Sequence, residues 1–182
     1  MEKKIEKNKF YFYVCCFFVY CVIGWIYEVI WEFKVGNGFV NRGFLHGCYL
    51  PVYGFGGLTL LFSLKRLMNK KIKIKKLNIT PIFVFIAALC IVSIIEYFTS
   101  LGMEMIFHKR WWDYSYDILN LNGRISLRNS SLLALGGMFY LYIVQPILDK
   151  LLSKVKEKNL KIFAIGVILI MSIDFISVII LK

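Results

Sequence analysis

Five runs of apolar residues, 10–33, 44–64, 81–107, 131–148 and 161–181, alternate with shorter polar segments that hold most of the lysines and arginines. A bilayer-crossing helix needs about 20 predominantly apolar residues, and each run reaches or approaches that length. The pattern predicts an all-α, polytopic membrane protein with about five transmembrane helices in one integral membrane domain over residues 1–182. The third run is longer than a bilayer requires, so it tilts or carries its 102–107 end past the outer surface. Ahead of the first run stand Lys3, Lys4, Lys7 and Lys9. That run is too long for a signal-peptide core and has no small-residue cleavage site, which predicts a retained signal anchor.

Composition agrees with the pattern. Of 182 residues 59% are hydrophobic and 19% charged, and the mean hydropathy is +0.66. Nothing remains for a soluble catalytic domain. A net charge of +12 would suit nucleic acid in a soluble chain, but in a lipid-embedded one lysine and arginine first mark topology. With the N-terminus inside, 16 of them fall on the cytoplasmic side and 7 outside, so the expected topology is N-in, C-out. The basic run 70–76 is then a solvated cytoplasmic loop, with anionic lipid headgroups as a further partner. Cys15, Cys16, Cys21 and Cys90 lie within apolar runs and Cys48 has no evident bridging partner, so no disulfide, metal or cofactor framework is expected. His46 and His108 read as interfacial polar side chains rather than metal ligands. The heavy use of Lys, Ile, Asn and Phe points to an AT-rich bacterial genome and hence to a bacterial plasma membrane.

Each ionisable group within a span costs at least about 2.5–3.5 kcal/mol and invites a partner or a function. Glu28, Glu96 and Asp174 fall in the outer half of the first, third and fifth runs, at a shared depth under this topology. Arg42, Arg110, Arg124 and Arg128 lie on the same side. Gly24, Glu28 and Glu32 form one polar stripe, and Ser93, Glu96, Ser100 and Glu104 another, neither of which lipid can satisfy. The expected site is therefore an outer-half polar core of Glu28, Arg42, Glu96, Asp113, Asn122, Arg124 and Asp174. The plainer alternative is that Arg42 or Arg124 neutralises Glu28 or Glu96 to lock the bundle. Pro51, Gly54 and Gly56 are expected to interrupt the second helix, as in helices that line transporter sites. Trp111, Trp112 and Tyr114 suit interfacial anchors, and the turn-rich stretch from Asn120 to Arg124 could fold over the bundle as a lid. A faint internal echo links the two halves: a Glu-bearing helix, an Asn, Gly and Arg turn, then a glycine-bearing helix.

Gly24-Trp25-Ile26-Tyr27-Glu28, Asn41-Arg42-Gly43-Phe44-Leu45, Pro51-Val52-Tyr53-Gly54-Phe55-Gly56, Glu96-Tyr97, Trp111-Trp112-Asp113-Tyr114-Ser115 and Asn120-Leu121-Asn122-Gly123-Arg124-Ile125 occur in this order. Together they resemble the CmpB-like family of bacterial integral membrane proteins, described as ABC-transporter permeases. The run His46-Gly47-Cys48-Tyr49-Leu50-Pro51 and the stretch 126–129 depart from the expected pattern. The resemblance implies a permease or transport-associated subunit that takes a small polar or ionic solute, with the lipid bilayer as its setting. No phosphate-loop motif occurs, so ATP would act through a separate cytoplasmic ATPase subunit received at 65–80 and 150–161. Association with further copies as a homo-oligomer is the other partner expectation, and nucleic acid is not one. Two alternatives stand beside this. One is a small membrane enzyme for a lipid or lipid-linked substrate, with Glu28 or Glu96 as acid or base and Arg42 and Arg124 on a phosphate. No nucleophile and base pair is recognisable for it. The other is a structural or regulatory membrane subunit.

Overall fold

A computed structural model describes residues 9–181; the basic tail with Lys3, Lys4 and Lys7, on which the signal-anchor expectation rests, lies outside the described residues. The first apolar run forms α1, Lys9–Lys34. It ends where Gly36 takes a left-handed φ of 86°, which lets Asn37 N donate to Glu32 O at 3.0 Å and closes the final turn. Two further apolar runs form α3, Thr80–Phe107, with a proline in its first turn, and α6, Glu157–Leu181.

The fourth run is more extensive than its hydropathy suggests. Helix α4, Leu127–Phe139, starts four residues earlier than expected because Ser126 caps it, accepting from Asn129 N. A π-helical turn, Tyr140–Val144, joins it to α5, Gln145–Leu152, which has a proline in its first turn. Pro146 has no N–H for the carbonyl one turn back, and the wider turn absorbs that missing bond.

The second run differs most. Helix α2 is Pro51–Met68, so residues 44–50 are not helical. Pro51 opens the helix instead of interrupting it, since the first turn is the one place where a missing N–H costs nothing. Among the described residues, four helices or helical runs are long and apolar enough to cross a membrane: Lys9–Lys34, Thr80–Phe107, Leu127–Leu152 and Glu157–Leu181. The remaining helix, α2, has 18 residues and carries Lys65 and Arg66 in its last turn.

Contacts divide the chain into two compact units, one running to Leu58 and resuming at Val144, the other Thr59–Ile143. In the first, α6 packs along α1, with Cys21, Leu45, Tyr49 and Val178 forming a buried apolar cluster. A side chain at Gly24, Gly54 or Gly57 would collide with Tyr53, Cys21 and Phe17, or Tyr20 respectively; these three glycines let α1 and the start of α2 approach closely. Gly56 meets nothing there. In the second unit α3 packs along α4. Thr80, Val84, Ala88, Val92 and Ser100 are the buried positions of α3, and Ser130, Ala134 and Gly137 those of α4. Two short antiparallel pairs complete it: β1 (Lys73–Ile74) with β2 (Leu77–Asn78), and β3 (Asn120–Leu121) with β4 (Ile125–Ser126).

Candidate functional site

The irregular segment before α2 descends beside α1. Leu50 N donates to Cys21 O at 3.0 Å, and Cys21 lies twelve residues into α1, about 18 Å along its axis. Helix α2 thus begins near the midpoint of α1. Non-helical backbone at such a depth is tolerable where protein covers it, and Leu45, Tyr49 and Leu50 are each buried. The segment is held by Asp174 of α6. One carboxylate oxygen accepts from His46 N at 3.1 Å and lies 2.9 Å from His46 Nδ1. The other accepts from Gly47 N at 2.9 Å and from Tyr49 OH at 2.5 Å.

Glu28 accepts from Tyr53 OH at 2.5 Å, and Tyr53 is the third residue of α2. Arg42 turns to Glu32 rather than to Glu28, and Asn37 Nδ2 donates to the other oxygen of Glu32 at 2.7 Å. Gly24→Ala is expected to push the Tyr53 ring away from Glu28 and to destabilise the protein by about 1–3 kcal/mol, the usual cost of overpacking. Thermal unfolding in detergent, with Gly56→Ala as the open-space control, measures it.

The second unit repeats this arrangement. Glu96 accepts from Asn129 Nδ2 at 2.7 Å and Tyr114 OH at 3.1 Å, with Ser130 Oγ at 3.5 Å. Asn129 is the third residue of α4, the position Tyr53 holds in α2. Arg124 pairs with Glu104 and donates to Ser100 Oγ at 3.1 Å; Arg110 Nε donates to Glu104 at 3.2 Å. In both units an arginine from the connecting segment takes the glutamate nearer the helix end. The deeper glutamate receives uncharged donors, from the next helix in both units and also from the connecting segment (Tyr114) in the second. Among the described residues no basic side chain reaches ion-pair distance of Glu28 or Glu96.

Arg124 owes its direction to a tight turn. Arg124 N donates to Leu121 O at 3.0 Å across Asn122 and Gly123, whose φ values are 55° and 66°. This is the left-handed pair that Asn-Gly sequences favour. Trp112 Nε1 donates to Arg124 O at 3.0 Å, so Trp112 and Tyr114 brace the loop from within. Trp111 is substantially exposed and packs on Phe107. Asn122 donates to Tyr97 OH at 3.1 Å.

Asp113 stands apart from the glutamates. It is exposed and accepts from Ser115 N at 2.9 Å and Ser115 Oγ at 2.5 Å. These bonds hold its carboxyl below the usual aspartate range. A lowered folded value adds stability that is fully present above the unfolded value near about 3.9 and is lost as pH falls through the folded one. The Asp113 titration followed by NMR is expected to move back up in Ser115→Ala.

Several residues were not visible as candidates in the sequence. Tyr49 and Asn129 carry no signature beyond being polar, Tyr53 entered only as one position of the Pro51 to Gly56 motif, and the Asp174 partners lie more than 120 positions away. The same holds for a buried file in the first unit, where Tyr20 OH donates to Gln145 Oε1 at 2.5 Å and Gln145 Nε2 to Asp149 at 2.7 Å. A crevice of about 290 Å³ lined by Pro81, Met138, Phe139, Tyr142 and Ile143 is apolar. It opens beside the start of α3, fifteen residues from Glu96, and so is not the expected polar cavity.

A family model described as "Putative ABC-transporter type IV" matches residues 15–179. No curated protein matches the chain. No solved structure does either.

Proposed function

The chain belongs to the CmpB family, described as "Putative ABC-transporter type IV", and from that premise we propose a transport-associated membrane subunit whose deeper glutamates, Glu28 and Glu96, contact a small cationic or hydrogen-bond-donating solute. The observation that carries the reading is the division of labour among the acids. Glu32 and Glu104 are matched to arginines, and Asp174 is enclosed by donors from one loop. Glu28 and Glu96 receive neutral donors alone, so no protein cation answers either of them and a cationic or hydrogen-bond-donating group could. The start of α2 partway along α1 supports it, since helix ends at mid-depth are a recurrent way to present polar groups in transporters.

In this reading the chain is a multi-pass protein of a bacterial plasma membrane, N-in and C-out. The segment 35–50 with α2 makes the fifth crossing, which the sixteen-to-seven division of basic residues favours. A separate ATPase subunit docks on the cytoplasmic connections, and the polar surroundings of Glu28 and Glu96 open to the outside. The lipid-enzyme alternative is weaker, because both arginines it would use for phosphate are bonded to glutamates.

The test is ligand-dependent stabilisation of the purified chain, with a panel of sodium, potassium, guanidinium and alkylammonium salts. A member of the panel that raises the unfolding temperature of the wild type, but not of Glu28→Gln or Glu96→Gln, supports the proposal. Equal response of all three proteins, or none in the wild type, overturns it. Copurification of an ATPase from the native membrane tests the partner.

A further inference from the structure

The connection between α2 and α3 is a small, strongly basic hairpin with an apolar face. From Lys65 to Pro81 the chain has seven basic residues and no acidic one. Strands β1 and β2 pair Ile74 with Leu77 across the ladder. Cross-strand partners share a face of the ribbon, so these two side chains stand together, 60% and 75% exposed. Lys75 and Lys76 form the turn between them, and Lys70, Lys71 and Lys73 lie on the approach; all five lysines are exposed.

This hairpin is fastened to the end of a membrane helix. Thr80, the first residue of α3, donates its hydroxyl to Lys70 O at 2.7 Å and accepts from Ile72 N at 3.0 Å. Ile79 N donates to Ile72 O at 2.9 Å. Both ends of the ribbon are thus stapled to α3, one of the helices apolar enough to span. A ribbon of two residues per strand plus its turn reaches about 10 Å at 3.3 Å per residue, comparable with the polar headgroup layer on one side of a bilayer.

We infer that the Lys70–Lys76 hairpin is a docking surface for an anionic bilayer, with Ile74 and Leu77 seated at the headgroup and acyl boundary and the lysines among negatively charged headgroups. Three features favour lipid over an acidic protein as the occupant. The charge is of one sign, the apolar pair is too small to anchor a protein interface yet suited to shallow insertion, and attachment to α3 keeps the hairpin beside the membrane surface. The interaction would favour anionic leaflets and fix the inner end of α3. It does not depend on the roles assigned to Glu28 and Glu96.

The experiment uses the full chain in nanodiscs of phosphatidylcholine alone or mixed with phosphatidylglycerol. A nitroxide at Leu77→Cys, with Cys48→Ser and Cys90→Ala to remove the exposed thiols, reports depth by oxygen and nickel-chelate collisions. Native mass spectrometry reports which lipids remain bound. The expected result is a membrane-inserted label in the anionic discs that moves to water in 1 M salt. Retention of phosphatidylglycerol should exceed that of phosphatidylcholine by about tenfold or more, given the attraction of each lysine near an anionic surface. Changing the five lysines to glutamine should remove both effects; the salt arm keeps the test valid should that variant fold poorly. A label equally water-exposed in both discs, or a lipid preference unchanged by salt and by the glutamines, overturns the inference. So does shielding of the label that appears only when a soluble acidic protein is added.

Discussion

Substituting Glu96 with glutamine is expected to leave α3 and α4 folded while weakening binding of the stabilising cation by about 100-fold, the value of a hydrogen-bonded charge in a partly desolvated site. Glutamine keeps an oxygen for Asn129 Nδ2 and Tyr114 OH, so the local donors stay satisfied and the change is confined to the acid group itself. Glu96→Leu separates the two possible roles. It removes the acceptor as well, leaves buried donors unmatched and is expected to lower stability by about 1–3 kcal/mol in addition. Glu104→Gln, at a carboxylate already answered by Arg110 and Arg124, should leave cation affinity unchanged. Titration calorimetry with the cation found in the stabilisation screen, beside unfolding curves for the three variants, gives both numbers. A Glu96→Gln protein that binds as the wild type does would return Glu96 to a packing role.

Arg42→Ala is expected to lower the stability of the protein. The Glu32 side chain is 3% exposed, whereas its partner Arg42 is half in solvent. Deleting the arginine strands a buried carboxylate with Asn37 as its remaining donor. Removing one member of such a pair costs more than the pair contributes, because the uncompensated charge remains. The double variant Arg42→Ala with Glu32→Gln should therefore recover more than half of the loss. Chemical denaturation of the single and double variants measures the recovery, and an equally unstable double variant would mean that Arg42 acts through packing of its aliphatic stem. Arg124 is the counterpart in the second unit, but Glu104 keeps Arg110 there, so Arg124→Ala should be milder in its charge effect.

The arginine pairings bear on how a polar residue in a span is to be read. Spacing along α1 places Gly24, Glu28 and Glu32 on one stripe, and their cost in lipid requires partners, but spacing does not choose among them. The arginines took the glutamates nearer the helix ends, which are also nearer the connecting segments that carry Arg42 and Arg124. A loop arginine reaches the last turn of the preceding helix more readily than a position one or two turns deeper. The internal echo, weak as a sequence pattern, becomes regular in contact terms, since Tyr53 and Asn129 occupy the same third position of α2 and α4 and face Glu28 and Glu96.

The sequence by itself determined the all-α class, the membrane setting, four of the spans to within a few residues, and the short roster of charges that must be answered inside them. These follow from local physics: twenty apolar residues bury their own backbone polar groups in a helix wherever lipid is the solvent. Tertiary structure alone decided that α2 begins at Pro51 beside the middle of α1, that Asp174 is bound by the His46–Tyr49 segment, and that Glu28 and Glu96 face neutral donors. Those outcomes depend on the axial register between helices distant in the chain, set by close approach at Gly24, Gly54 and Gly57 and by hydrogen bonds over more than 120 residues. No local pattern of apolar and polar positions encodes that register.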